Sequence, residues 1–139
     1  MFHRVNNQTT SSLEKVVTPS SLIIVDGDVV TTYMNADSEF NDDSANENAE
    51  AVFDLVCDKS VFHLIIPDST THITVAAGNY SNPRFESLKK AEAIVIKTLG
   101  HRLLAQFYMD NNKKKYPVKV FNCEKQANSW FESLRANPI

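Results

Sequence analysis

The stretch from Ala91 to Leu134 constrains the fold of this chain more than any other. It reads as an apolar strand AEAIVIKT, an amphipathic helix LGHRLLAQFYM and a basic loop DNNKKK, followed by a short strand YPVKVFN and a helix CEKQANSWFESL. Strands alternating with helical patterns of this length form βαβ units, and such units require a parallel sheet. In the first helix, Leu103, Leu104, Phe107 and Tyr108 make the predicted buried stripe. The last helix is expected to be capped by Asn122 and to bury Ala127, Trp130, Phe131 and Leu134, which recur at helical spacing.

Upstream, Ser21 to Met34 reads SLIIVDGDVVTTYM, two β-rich runs around Asp26-Gly27. An Asp-Gly pair between such runs predicts a hairpin, because both residues tolerate positive φ. Leu13 to Val17 is a candidate edge strand before Pro19, and residues 1–12 read as a polar tail without the apolar core of a signal peptide. Ser44 and Glu47 fit a capping box, with Asp42 and Asp43 at the positive helix end. Ala45, Ala49, Val52, Phe53 and Val56 then share one helical face, opposite Glu47, Glu50 and Asp54. VFHLII, Val61 to Ile66, is a near-continuous apolar run of the kind found in strands covered on both faces. Thr74 is a predicted N-cap for a short helix through Ala77, with Gly78 as its left-handed exit, and Arg84 to Lys90 suggest another. The expected architecture is therefore a single α/β domain over residues 13–139. It has a mixed sheet of four to five strands, with the hairpin at one edge and the Phe121 strand in a parallel portion built by βαβαβα crossovers.

Composition narrows the function classes. A chain of 139 residues suits one domain, and no apolar run approaches the roughly 20 residues of a transmembrane helix. Between Val16 and Asp58 there are ten acidic residues and no Lys or Arg, whereas between Arg84 and Arg135 eleven basic residues face five acidic ones. That polarity suits a charged protein partner or self-association, with Glu47, Glu50 and Asp54 as the candidate surface. The basic half is too dilute for nucleic acid. Lys113, Lys114 and Lys115 form a loop tip that would touch anionic lipid only weakly. Two cysteines, Cys57 and Cys123, without a secretion signal read as free thiols of a cytoplasmic protein.

The order of elements, with Ala93-Ile94-Val95-Ile96, Thr98, Arg102 to Tyr108, Pro117 to Phe121 and then Ala127, Trp130 and Phe131, resembles the STAS-like fold of anti-sigma-factor antagonists. It is closest to the bacterial families grouped with STAS and CRAL-TRIO-like domains. The resemblance implies a bacterial, non-enzymatic regulatory or protein-interaction module. STAS switches carry a phosphorylatable Ser or Thr after an Asp, at the start of the helix following the third strand. Here Thr74 falls where that Asp belongs and Ala76 where the acceptor belongs, so the phospho-switch does not carry over. CRAL-TRIO-like relatives bind lipids, which implies as an alternative a carrier of a small apolar ligand, its pocket lined by Phe85, Leu88, Leu103, Phe107 and Tyr108.

Asp68, Ser69, Thr70, Thr71 and His72 follow a buried strand at the position where α/β sheets bind ligands, but Asx- and Ser/Thr-turns account for these residue types. Thr74, His101 and Arg102 stand near helix starts and are candidate anion or ligand contacts. His63, inside an apolar strand, reads as a core histidine. The sequence offers no catalytic constellation and implies no cofactor or metal.

Overall fold

The computed structural model describes residues 13–137 and the backbone of the strand His3–Asn6. Seven strands form one sheet in the spatial order β1 (His3–Asn6), β2 (Glu14–Val17), β3 (Ser21–Asp26), β4 (Val29–Met34), β6 (Val61–Ile66), β8 (Lys89–Val95) and β9 (Val118–Phe121). Strands β1 to β4 are antiparallel; β4, β6, β8 and β9 are parallel. Two short strands, β5 (Glu39–Phe40) and β7 (His72–Ile73), pair in parallel beside it. Helices are α1 (Asp42–Val56), α2 (Val75–Asn79), α3 (Pro83–Leu88), α4 (Leu99–Asn111) and α5 (Glu124–Ala136). The mixed α/β architecture matches the expectation.

Seven strands rather than four to five make the sheet, because the antiparallel part grows outward past the hairpin. Leu13 to Val17 does supply a strand, β2, and β2 in turn pairs with His3–Asn6. The hairpin therefore lies inside the sheet, not at its edge. Of the expected tail, only that strand falls among the described residues. The turn is also offset by one residue. Asp26 pairs with Val29, so Gly27 and Asp28 are the central residues, with Gly27 at φ 61°. Positive φ at the first central residue alone is the pattern of a type II′ turn, which glycine enters without a Cβ penalty.

Alternation along the strands divides the core. Ile23, Val25, Val30 and Val61 point to one face, where Val52, Phe53 and Val56 of α1 and Phe85 and Leu88 of α3 cover them. Phe62, Leu64, Ala91, Ala93 and Val95 point to the other, covered by Ala127 and Phe131 of α5. Strand β6 is thus buried on both sides, as its unbroken apolar run predicts. Phe131 is wholly buried and stacks on Phe62 with ring centroids 4.8 Å apart. Trp130, expected to be buried, is only half-buried and tilted against Phe121, because Phe131 takes the inward position. At the far end of α5, Arg135 bonds to Asp28 of the hairpin turn at 2.6 Å, and Lys90 pairs with the same carboxylate at 3.2 Å. The Arg135 hydrogen bond, aided by Lys90, holds the Asp28 carboxyl down at about 2.

Helix starts differ from expectation in two places. Asn41, not Ser44, caps α1: its side chain accepts from the Ser44 backbone at 2.9 Å, while the Ser44 hydroxyl accepts from the Asn41 N–H at 3.1 Å. Serine at the third helical position closes the box in place of Glu47, so the helix begins earlier, with Asp42 and Asp43 in its first turn. Cys123 rather than Asn122 precedes α5 and gives no side-chain cap, and Asn122 Oδ1 instead accepts from the Arg102 guanidinium at 3.4 Å. Thr74 caps α2 as expected, accepting from the Ala77 N–H at 3.1 Å. Gly78 lies inside α2 and has no positive φ; the helix runs on to Asn79. The helix expected over Arg84 to Lys90 is Pro83–Leu88, and Lys89 and Lys90 already belong to β8.

Candidate functional site

Helix α4 is turned relative to the predicted stripe. His101 and Ala105 are buried, with Leu104 and Tyr108 on the same inward side; Leu103 is 62% exposed and Phe107 46%. Leu99, at 70%, extends this outward apolar row, and Val75 of α2 lies exposed as well. Five large apolar residues wrap more than half of α4, so periodicity alone did not choose which side met the sheet.

Between α4, α2, α1 and the sheet lies a cavity of about 140 Å³. Its walls are apolar, with Phe40, Ile65, Phe85, Ile94 and Leu104 among them. Its floor is polar, because three adjacent parallel strands each direct one hydrogen-bonding side chain to this face: Thr32 from β4, His63 from β6 and Glu92 from β8. All three are at most 4% exposed. Thr32 Oγ1 lies 3.0 Å from His63 Nε2 and 3.0 Å from the side-chain amide of Asn48 on α1. His63 Nδ1 lies 3.4 Å from Glu92 Oε2. The Glu92 carboxylate also accepts from Lys89 Nζ at 2.6 Å and from the Tyr108 hydroxyl at 2.8 Å. Lys89 reaches Glu86 at 3.2 Å, and Glu86 takes Lys114 at 2.7 Å and the Tyr116 hydroxyl at 2.9 Å. A continuous polar chain thus runs from Asn48 to the loop before β9.

Electrostatics follow from this packing. Burial alone would raise the Glu92 pKa, but the Lys89 ammonium and the His63 N–H outweigh it and hold the carboxyl well below its ordinary range. Burial depresses the His63 pKa, and Lys89 adds to that depression, so the imidazole is neutral beside an ionised carboxylate. Burial and the nearby Glu92 charge push the Tyr108 and Tyr116 hydroxyls far above their ordinary values, so both are donors. Glu86 is held ionised: burial opposes this, and Lys89 and Lys114 overcome it.

The candidates read from sequence fall elsewhere. Thr74 is spent on its cap. The His101 ring is buried, Nε2 donating to the Thr71 carbonyl at 2.9 Å and Nδ1 lying 3.4 Å from the Lys97 N–H, while Arg102 points outward to Asn122. The three do not converge on one point. The Asp68 to His72 cluster forms the expected turns: Asp68 accepts from the Thr70 N–H and hydroxyl, and Thr71 ties the loop to the Asn35 carbonyl at 2.8 Å. Glu50 and Asp54 are exposed on α1 and Glu47 is half-buried. Of the three loop lysines, Lys114 turns inward to Glu86, leaving Lys113 and Lys115 exposed. Phe85 and Tyr108 do line the cavity, whereas Leu88 packs into the core under α1, and Leu103 and Phe107 face solvent. Cys57 and Cys123 are exposed and unbridged.

Fold and site together define a class: a mixed α/β sheet whose parallel half carries a small cavity, polar at its floor, under a helical layer. Residues 22–135 match the model of a protein family described as a domain of unknown function (DUF7793), and the chain belongs to that family. No curated protein and no solved structure matches the chain. Among the described residues, no helix is long and apolar enough to cross a membrane.

Proposed function

We propose that this domain is a non-enzymatic regulatory module of the bacterial cytoplasm, STAS-like in plan, that holds a small ligand between its sheet and its helices. The observation that carries this reading is the cavity of about 140 Å³, walled by apolar side chains and floored by the Asn48–Thr32–His63–Glu92 chain. Specific ligand sites combine those two ingredients, apolar enclosure with a few placed polar groups. Position agrees too, since ligands of α/β proteins gather toward the carboxyl ends of parallel strands. The volume suits a single ring better than an acyl chain, which disfavours the lipid-carrier alternative.

The order Thr32, His63, Glu92 is that of a nucleophile, base and orienting acid, yet it supports binding rather than catalysis. Thr32 sits mid-strand, paired with Ile23 on one side and Ile65 on the other, so the sheet ladder uses up the backbone amides around it. Acyl transfer needs free N–H groups aimed at the reacting oxygen.

Helix α4 links the cavity to solvent. Leu104, Ala105 and Tyr108 line the cavity while Leu99, Leu103 and Phe107 form an apolar row outside, so a shift of α4 on ligand binding would alter the surface a protein partner meets. That row is a better partner surface than the acidic face of Glu47, Glu50 and Asp54. Native mass spectrometry of protein purified from its own host tests the ligand reading. A small mass released on denaturation is expected; a bare chain from freshly lysed cells, with no probe binding in vitro, refutes it. Leu103→Ser and Phe107→Ser together should reduce partner recovery from lysate, and unchanged recovery removes the α4 row from the proposal.

A further inference from the structure

Hydrogen-bond polarity in the cavity floor narrows the ligand class, and this step rests on the ligand-binding reading above. An ionised carboxylate only accepts, so the proton of the His63–Glu92 contact sits on His63 Nδ1. A second proton on this ring would place a buried cation next to the Lys89 ammonium, so Nε2 keeps its lone pair. The single hydroxyl proton of Thr32 therefore goes to Nε2, across 3.0 Å. Thr32 Oγ1 is then left as an acceptor toward Asn48, and only the amide NH2 can donate to it. In the structure Asn48 Oδ1 lies 3.0 Å from Thr32 Oγ1, but an asparagine amide turns over by 180° without moving its outline, and this network selects the reversed orientation, with Nδ2 on Thr32 and the carbonyl oxygen on the other side.

That other amide atom has no partner among the described residues, although Asn48 is only 5% exposed and lines the cavity. It also keeps some exposure, unlike the one fully enclosed and unpartnered side-chain atom among the described residues, the Ser20 hydroxyl. A nearly buried acceptor open to an apolar cavity is a recognition element awaiting a donor. Size follows from the volume: an engineered apolar cavity of about 150 Å³ accepts benzene, and this one measures about 140 Å³. Charge follows from the floor. Lys89 and Lys114 are already matched by Glu86 and Glu92, so among the described residues of the floor no free cation is left to pair with an added anion in an apolar cavity.

We propose that the cavity binds a neutral single-ring molecule that presents an N–H or O–H group to Asn48. Phenol, anisole, toluene and benzoate separate the terms, because they share a ring and differ in donor, acceptor and charge. Each is titrated into protein with methyl-labelled isoleucine, and the shifts of Ile65 and Ile94 on the cavity wall are followed. Phenol is expected to bind about tenfold tighter than toluene or anisole, as one placed hydrogen bond against an unsatisfied acceptor allows, while benzoate gives no saturable shift. In Asn48→Leu, phenol should lose its advantage over toluene. Where that variant does not fold, phenol against anisole on the wild-type chain decides alone. Anisole or toluene equal to phenol overturns the donor rule and leaves the cavity reading intact. No saturable shift with any of the four overturns the cavity reading itself.

Discussion

Replacing Lys89 with methionine tests the buried charge chain directly. The Lys89 side chain is 6% exposed and holds two carboxylates, Glu92 at 2.6 Å and Glu86 at 3.2 Å. Methionine fills a similar volume and removes the charge, so the loss measures an abandoned anion rather than a cavity. Glu86 retains Lys114 at 2.7 Å and Tyr116 at 2.9 Å. Glu92, with 2% of its side chain exposed, keeps only the Tyr108 hydroxyl and the neutral His63 N–H. Removing one member of a buried pair costs about 3–5 kcal/mol, which for a chain this size lowers the melting temperature by roughly 10–20 °C. Without Lys89, burial dominates the Glu92 carboxyl and its folded pKa rises above the ordinary 4.5. A raised folded pKa means that the native state gains from protonation, so the difference from wild type should shrink between pH 7.5 and pH 5. Lys89→Met combined with Glu92→Gln should recover much of the loss. Urea unfolding of the three proteins at both pH values measures these differences. A loss under about 1 kcal/mol, or equal losses at the two pH values, refutes the account of Glu92 as an anion held by Lys89.

Wild-type stability should fall in two stages on acidification. His63 has a folded pKa below its ordinary 6.5, so the unfolded chain takes that proton first and stability declines from there; Glu92, lowered from 4.5, adds a second decline below that value. His63→Gln should erase the first stage in a urea-midpoint series across pH. Phe131→Ala should cost about 3–5 kcal/mol by calorimetry, because a wholly buried ring stacked on Phe62 leaves a void, and Trp130→Ala, at a half-exposed position, should cost less. Asn41→Ala should cost about 1 kcal/mol and Glu47→Ala close to nothing, which separates the observed cap from the one the sequence suggested.

Local signals carried the fold. The unbroken run VFHLII stated its own double burial, and Thr74 and the helix-strand alternation after Ala91 placed elements to within a few residues. Signals failed where neighbours offered equivalents. Asp26-Gly27-Asp28 supports two turn registers, and only cross-strand pairing selects one. Asn41 and Ser44 both cap helices well, and α4 is apolar on both sides, so tertiary packing decided each case. The site was almost illegible because its members come from separate strands: His63 lies 31 residues from Thr32 and 29 from Glu92. One cue was present in the sequence. Glu92 interrupts the apolar strand AEAIV, and a carboxylate there demands a buried counter-charge.

The contact between Asp28 and Arg135 joins groups 107 residues apart in the sequence. Synthesis runs from the amino end, so the hairpin turn and the face bearing Phe62, Leu64 and Ala93 emerge long before α5, the helix that covers that face. Until α5 emerges and docks, this greasy surface has no lid and the turn has no clasp. A chain from which α5 is deleted should therefore be prone to clump rather than form a shorter working domain.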